Sequence, residues 1–108
     1  EPQPRELTEI REQYTTAIPI GTALAQSWNP ALAERLGDVV GAEMERFGIH
    51  LWLAPAFNLH RSVLCGRNFE YLSEDPLLAG RLAAAITHGV QSHPGRGVTI
   101  KHLACNNQ

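Results

Sequence analysis

The chain has 108 residues, 44% apolar and 19% charged, with a formal net charge of −2, which fits one globular domain at most. Mild acidity gives no support for nucleic-acid binding, and no basic run suggests an anionic membrane surface. No apolar stretch nears the roughly 18 residues of a membrane span, and the polar start, Glu1-Pro2-Gln3-Pro4-Arg5-Glu6, lacks the apolar region of a signal peptide.

Residues 1–17 carry little signal, and the compartment stays open. Ile20 to Ser27, short and rich in small apolar residues, is expected to form a strand. Asn29 is a good helix cap, and Pro30 falls where a missing N–H costs nothing. Leu32, Leu36, Val39, Val40, Met44 and Phe47 then recur at helical spacing, predicting a helix over Pro30–Phe47 that Gly48 ends in a left-handed conformation. The nearly continuous apolar run Ile49–Ala54 suits a strand buried on both faces of a parallel sheet.

Some twenty residues dense in His, Arg, Asn, Glu and Asp follow Pro55, and a loop that long inside a domain is usually functional. Asp75 and Pro76 open a second helix, expected over Pro76–Ser92, and Val98–His102 reads as a third strand. The order is βαβαβ, a unit of parallel strands joined by crossovers. Gly37, Gly41 and Gly80 fall inside the predicted helices, each costing about 1 kcal/mol against alanine; close helix–sheet packing is the expected reason. No Gly-x-Gly-x-x-Gly opens either helix, which weakens a dinucleotide-binding reading.

The polar loop after one strand and Lys101-His102 at the end of another lie where α/β enzymes place their sites. The rigid fork of Arg67 can grip two neighbouring hydroxyls or a carboxylate; alternatively it braces the loop by pairing with Glu70 or Glu74. Lys101 can donate to a hydroxyl and His102 can donate or accept, but adjacent strand residues point to opposite faces. For both to reach one ligand the backbone must be irregular there. Otherwise His102 is a core histidine and Lys101 a strand-end charge. A metal or redox module using His60, Cys65, His102 and Cys105 is the rival chemistry, although the spacings His-x₄-Cys and His-x₂-Cys are not those of common zinc modules.

Cys65-Gly66-Arg67-Asn68-Phe69-Glu70, Ser73-Glu74-Asp75-Pro76, the Lys101-His102 pair with Ala104 and Asn106-Asn107-Gln108, and Ser27-Trp28-Asn29-Pro30 occur together in an order that resembles glycoside hydrolase family 3. The resemblance covers 18–108. It implies part of a (β/α)₈ TIM-type barrel, about three strands and two helices of a fold that takes ~250 residues. It also implies a retaining β-glycosidase of β-glucosidase type, with no metal or organic cofactor. Arg67, Lys101 and His102 would bind the sugar being cleaved from a β-linked glycoside, and the remaining barrel and a C-terminal domain would be the structural partners.

Retaining hydrolysis needs two carboxyl groups. Glu70, Glu74 and Asp75 are clustered, but Asp75 is better explained as a cap, Glu74 as a charge beside a helix N-terminus, and Glu70 as the group that orients Arg67. The resemblance places the nucleophilic aspartate on a later strand and the acid elsewhere, so no catalytic residue is expected in this chain. A non-catalytic carbohydrate-binding remnant is the alternative. Val63, Leu103 and Ile18 depart from the family pattern without touching the polar groups. The continuation after Lys101-His102 favours neutral hexoses or pentoses over N-acetylglucosamine.

Overall fold

The computed structural model describes residues 13–108; of the expected N-terminal segment 1–17, residues 1–12 lie outside the described residues. The elements run α1 (Gly21–Ala25), α2 (Pro30–Phe47), β1 (Leu51–Trp52), a 3₁₀ turn (Asn68–Glu70), α3 (Pro76–Gln91) and β2 (Gly97–Val98). No helix among the described residues is long and apolar enough to cross a membrane.

Both long helices begin and end where their local chemistry directs. The Asn29 side chain accepts from the Leu32 N–H and Pro30 follows as first residue, while Gly48 closes α2 at φ 68°. Asp75 accepts from Leu77 and Leu78 before Pro76 opens α3. Each cap satisfies N–H groups that have no partner within the helix.

The expected first strand is a helix. Over five residues, Gly-Thr-Ala-Leu-Ala, apolar content cannot separate strand from helix, and tertiary contacts decide. A methyl group on Gly21 would lie 2.3 Å from the Glu70 carbonyl oxygen, so α1 packs directly against the backbone of the polar loop. Leu24 and Ala25 turn inward to the core formed with Ala33, Leu72, Ala79, Leu82 and Ile86. The observed order is thus two helices followed by one βαβ unit, in place of βαβαβ.

β1 and β2 pair in parallel, with Leu51 opposite Gly97 and Trp52 opposite Val98. A further parallel bridge joins Ala56 to Lys101. The regular strands are shorter than the apolar runs suggest: Pro55 lies between β1 and that bridge, and proline has no N–H to contribute to a ladder. Nor is β1 buried on both faces: Leu51 and Leu53 are 64% and 67% exposed. A parallel strand with an open apolar face is unusual unless something else covers it.

The glycines serve helix–helix packing, which corrects the expected helix–sheet role. A methyl group on Gly37 would stand 2.2 Å from the Ile86 carbonyl oxygen, and one on Gly89 would stand 2.1 Å from that of Glu34. The α2 and α3 backbones therefore touch reciprocally. Gly41 leaves room for the His93 ring, whereas Gly80 faces open space.

Candidate functional site

The site begins with the 3₁₀ turn that follows Arg67, held from two sides. Thr22 on α1 lies with its hydroxyl 2.9 Å from the Asn68 carbonyl and 2.8 Å from that of Tyr71. His60 places Nε2 2.8 and 3.1 Å from the same two oxygens. Both neighbours are acceptors, so His60 carries its proton on Nε2. Asn68 in turn donates to the Ser62 carbonyl at 2.8 Å. The loop is long but tied to its flanks.

Arg67, Glu70, Lys101 and His102 converge on that frame. Arg67 Nε donates to Glu70 Oε1, and Lys101 Nζ lies 3.4 Å from the other carboxylate oxygen. Arg67 Nη1 lies 2.9 Å from His102 Nε2. The Arg67 hydrogen bond, with help from the Lys101 charge and against a burial penalty, holds the Glu70 carboxyl below its ordinary range; Glu70 in turn raises the guanidinium further. Glu70 is thus a firmly ionised brace, the opposite of a general acid, whose pKa must be raised.

The bracing role weighed for Arg67 is therefore present, and it coexists with an available guanidinium edge. The Arg67 side chain is 43% exposed and that of Glu70 only 22%. Lys101 and His102 are joined by a cis peptide; Lys101 reaches Glu70 and His102 reaches Arg67. A cavity of about 140 Å³ touches Glu70 and Lys101 and runs past Trp52 to Ile18 and Pro19. A wider cleft opens beside His102, between Asn58, Pro76 and Asn107.

Three supporting residues escape a sequence reading. Asn58, 7% exposed, accepts the His102 backbone N–H at 2.6 Å. Tyr71, fully buried, brings its hydroxyl to 3.2 Å from His102 Nδ1 and donates to the Asn106 carbonyl at 2.9 Å. The Asn106 amide closes the cluster, 2.7 Å from the Tyr71 hydroxyl. Separations of 31 to 44 residues hide these contacts from any local pattern. Tyr71 beside Glu70 in the polar loop, and Asn106 in the motif after Lys101-His102, were the available hints.

The histidines weighed for a metal or redox module have other partners. His60 is committed to carbonyl oxygens, and His102 faces a guanidinium, which would repel a cation. Among the described residues no group of three His, Cys, Asp or Glu side chains could hold a metal ion. Cys65 is buried, Cys105 is exposed, and both are free thiols.

The sequence model of the glycosyl hydrolase family 3 N-terminal domain matches residues 7–107. Beta-glucosidase A of Butyrivibrio fibrisolvens is 50% identical over 94 residues, 87% of this chain and 11% of that protein. Thermostable beta-glucosidase B of Acetivibrio thermocellus is 48% identical over 104 residues, 95% of this chain and 14% of that protein. Among solved structures, beta-glucosidase 3B of Thermotoga neapolitana in complex with glucose superposes with a TM-score of 0.90 at 48% identity, covering 97% of this chain and 14% of the other. The chain spans about a seventh or less of these relatives. Separated motifs, a parallel strand pair and a match over nearly the whole length converge: the chain belongs to glycosyl hydrolase family 3 and corresponds to part of its N-terminal domain.

Proposed function

We propose that this chain is the glycone-gripping part of a retaining β-glycosidase of β-glucosidase type, in which Arg67, Lys101 and His102 bind hydroxyls of the sugar being released. The observation that carries the reading is their convergence. Two cations share one carboxylate, and an imidazole lies against one of them, at the ends of parallel strands. A polar, partly open set of donors of this kind suits a neutral polyhydroxylated ligand. The glucose bound in the Thermotoga relative supports a hexose as ligand.

In this reading the βαβ unit belongs to a (β/α)₈ barrel. Other segments cover the exposed face of β1 and supply an aspartate nucleophile and a carboxylic acid. The nucleophile attacks the anomeric carbon while the acid protonates the leaving oxygen, and water then releases the sugar with retained configuration. Hydrogen bonds from Arg67, Lys101 and His102 hold the ring and assist the reaction to the extent that they tighten in the transition state. Glu70 remains a brace throughout, since its carboxylate is already shared by Arg67 and Lys101.

Steady-state kinetics on the intact protein test this. Arg67→Ala should lower kcat/KM for an aryl β-glucoside by roughly 10²–10⁴, from one or two charge-assisted hydrogen bonds of ~1.5–3 kcal/mol each. Lys101→Ala should follow closely, and His102→Ala should be milder. The 108 residues alone should show no turnover. Unchanged kinetics in Arg67→Ala, with folding checked by circular dichroism, would end the reading.

A further inference from the structure

We infer that Arg67 holds His102 in a single tautomer, protonated on Nδ1, and that Tyr71, itself held by Asn106, is the positioning residue that accepts that proton, so that Nε2 is an acceptor which Arg67 fills here and a hydroxyl of the ligand can take over. The inference starts from the partners of one ring. Arg67 Nη1 is 2.9 Å from Nε2, and a guanidinium has only donors, so Nε2 must accept. The single proton of a neutral imidazole then lies on Nδ1. There the Tyr71 hydroxyl stands at 3.2 Å and one end of the Asn106 amide at 3.1 Å.

The Asn106 amide does not compete for that proton: its nitrogen donates to the Tyr71 hydroxyl at 2.7 Å and lies 3.1 Å from Nδ1 only as a neighbour. The Tyr71 proton goes to the Asn106 main-chain carbonyl, 2.9 Å away, so the phenolic oxygen accepts both from the amide and from Nδ1–H. The chain of bonds has one direction, from Arg67 through the ring and Tyr71 to the Asn106 carbonyl.

The rest of the surroundings fixes the ring in place. The His102 backbone N–H is held by the buried Asn58 side chain at 2.6 Å. The Tyr71 ring meets the imidazole edge-on at 6.2 Å between centroids, and Tyr71 has no exposure at all. A fully buried phenol whose oxygen contacts only this cluster is a fixed acceptor, so it can set the ring's orientation.

The consequence rests on the sugar-pocket reading proposed above. When a sugar hydroxyl engages the Arg67 edge and takes that N–H's place at Nε2, His102 receives a hydrogen bond and does not give one, because Tyr71 keeps the ring proton on Nδ1. A hydroxyl presented there must bring its own proton, and a fluoro or O-methyl substituent cannot replace it. Arg67 and Lys101 supply the donors, and His102 supplies the acceptor.

Long-range ¹H–¹⁵N spectra of the intact protein, labelled with ¹⁵N-histidine and held at mildly alkaline pH, test the tautomer without any turnover. His102→Gln identifies the signals of that ring. The expected result is a pyrrole-type Nδ1 and a pyridine-type Nε2; the reverse pattern would overturn the inference. Arg67→Met should replace the single tautomer with a mixture, and an unchanged spectrum there would show that Arg67 does not set it. Tyr71→Phe should shift the Nδ1 signal, and an unchanged Nδ1 would show that the phenol does not accept its proton; if that variant fails to fold, the Arg67→Met result decides. Glucose titration separates the two proposals: the expected tautomer with no response of Nε2 to glucose would sink the sugar reading alone.

Discussion

His93 and His102 show how differently the two halves of this molecule use the same side chain. His93 stands at the end of α3 between two carboxylates of α2, with Asp38 2.9 Å from Nε2 and Glu45 3.2 Å from Nδ1. Every neighbour accepts, so the ring is most stable with both nitrogens protonated, and its pKa is raised by the Asp38 and then the Glu45 hydrogen bond. His102 stands between a guanidinium and a phenol, where one side can only donate. In the helix pair the partners saturate the histidine. At the strand ends the guanidinium makes one nitrogen an acceptor.

The contrast extends to packing. The α2–α3 pair is closed, backbone against backbone at Gly37 and Gly89, with little room for change. The strand ends are held by long-range hydrogen bonds around Tyr71 and Asn58 but leave Arg67 and Lys101 partly open. A rigid scaffold carrying a braced but incompletely satisfied polar cluster is the arrangement that positions a ligand.

The largest test of this division is Gly37→Ala. Its methyl group would meet the Ile86 carbonyl at 2.2 Å, and overpacking of this kind costs ~1–3 kcal/mol or more. In a barrel of ~250 residues that lowers the melting temperature by about 2–4 °C per kcal/mol. Glucose affinity of the folded fraction should stay the same, and a large loss of affinity would show that the two regions are coupled. Gly80→Ala should do the reverse, stabilising by up to ~1 kcal/mol, because its surroundings are open and alanine favours a helix.

Tyr71→Phe comes next. It removes the hydroxyl between Asn106 and His102 from a fully buried site, at about 1–3 kcal/mol for the groups left unpaired. Unlike Gly37→Ala, it should weaken glucose binding and shift the His102 spectrum as well as lower the melting temperature. An effect on melting alone would make Tyr71 a plain core residue.

The smallest effect is a pH dependence. A histidine whose pKa is raised on folding stabilises the folded state fully below its unfolded value near 6.5, and the contribution fades as pH rises through the higher folded value. His93→Gln should therefore lose part of the gain in melting temperature between pH 8 and pH 6, with little change at pH 8. A variant that tracks the parent across that range would show the carboxylate contacts to be too exposed to matter.

Much of this was written in local sequence. Asn29-Pro30, Gly48 and Asp75-Pro76 fix the ends of α2 and of the start of α3, because capping depends on residues within one turn. The parallel pairing of the second and third expected strands also followed from alternation, and the candidate loop from its density of polar groups. The separated motifs carried the family, and with it the expectation for Arg67, Lys101 and His102.

Tertiary structure decided the remainder, wherever the relevant partner lies far along the chain. Whether Gly-Thr-Ala-Leu-Ala is strand or helix depends on the loop backbone at Glu70 that Gly21 must approach. Whether the helix glycines face a sheet or another helix depends on how α2 and α3 cross. And whether Arg67 braces a loop or presents a donor is not a choice at all: one edge is held by Glu70, another meets His102, and the direction of that second bond follows from which atoms can only donate.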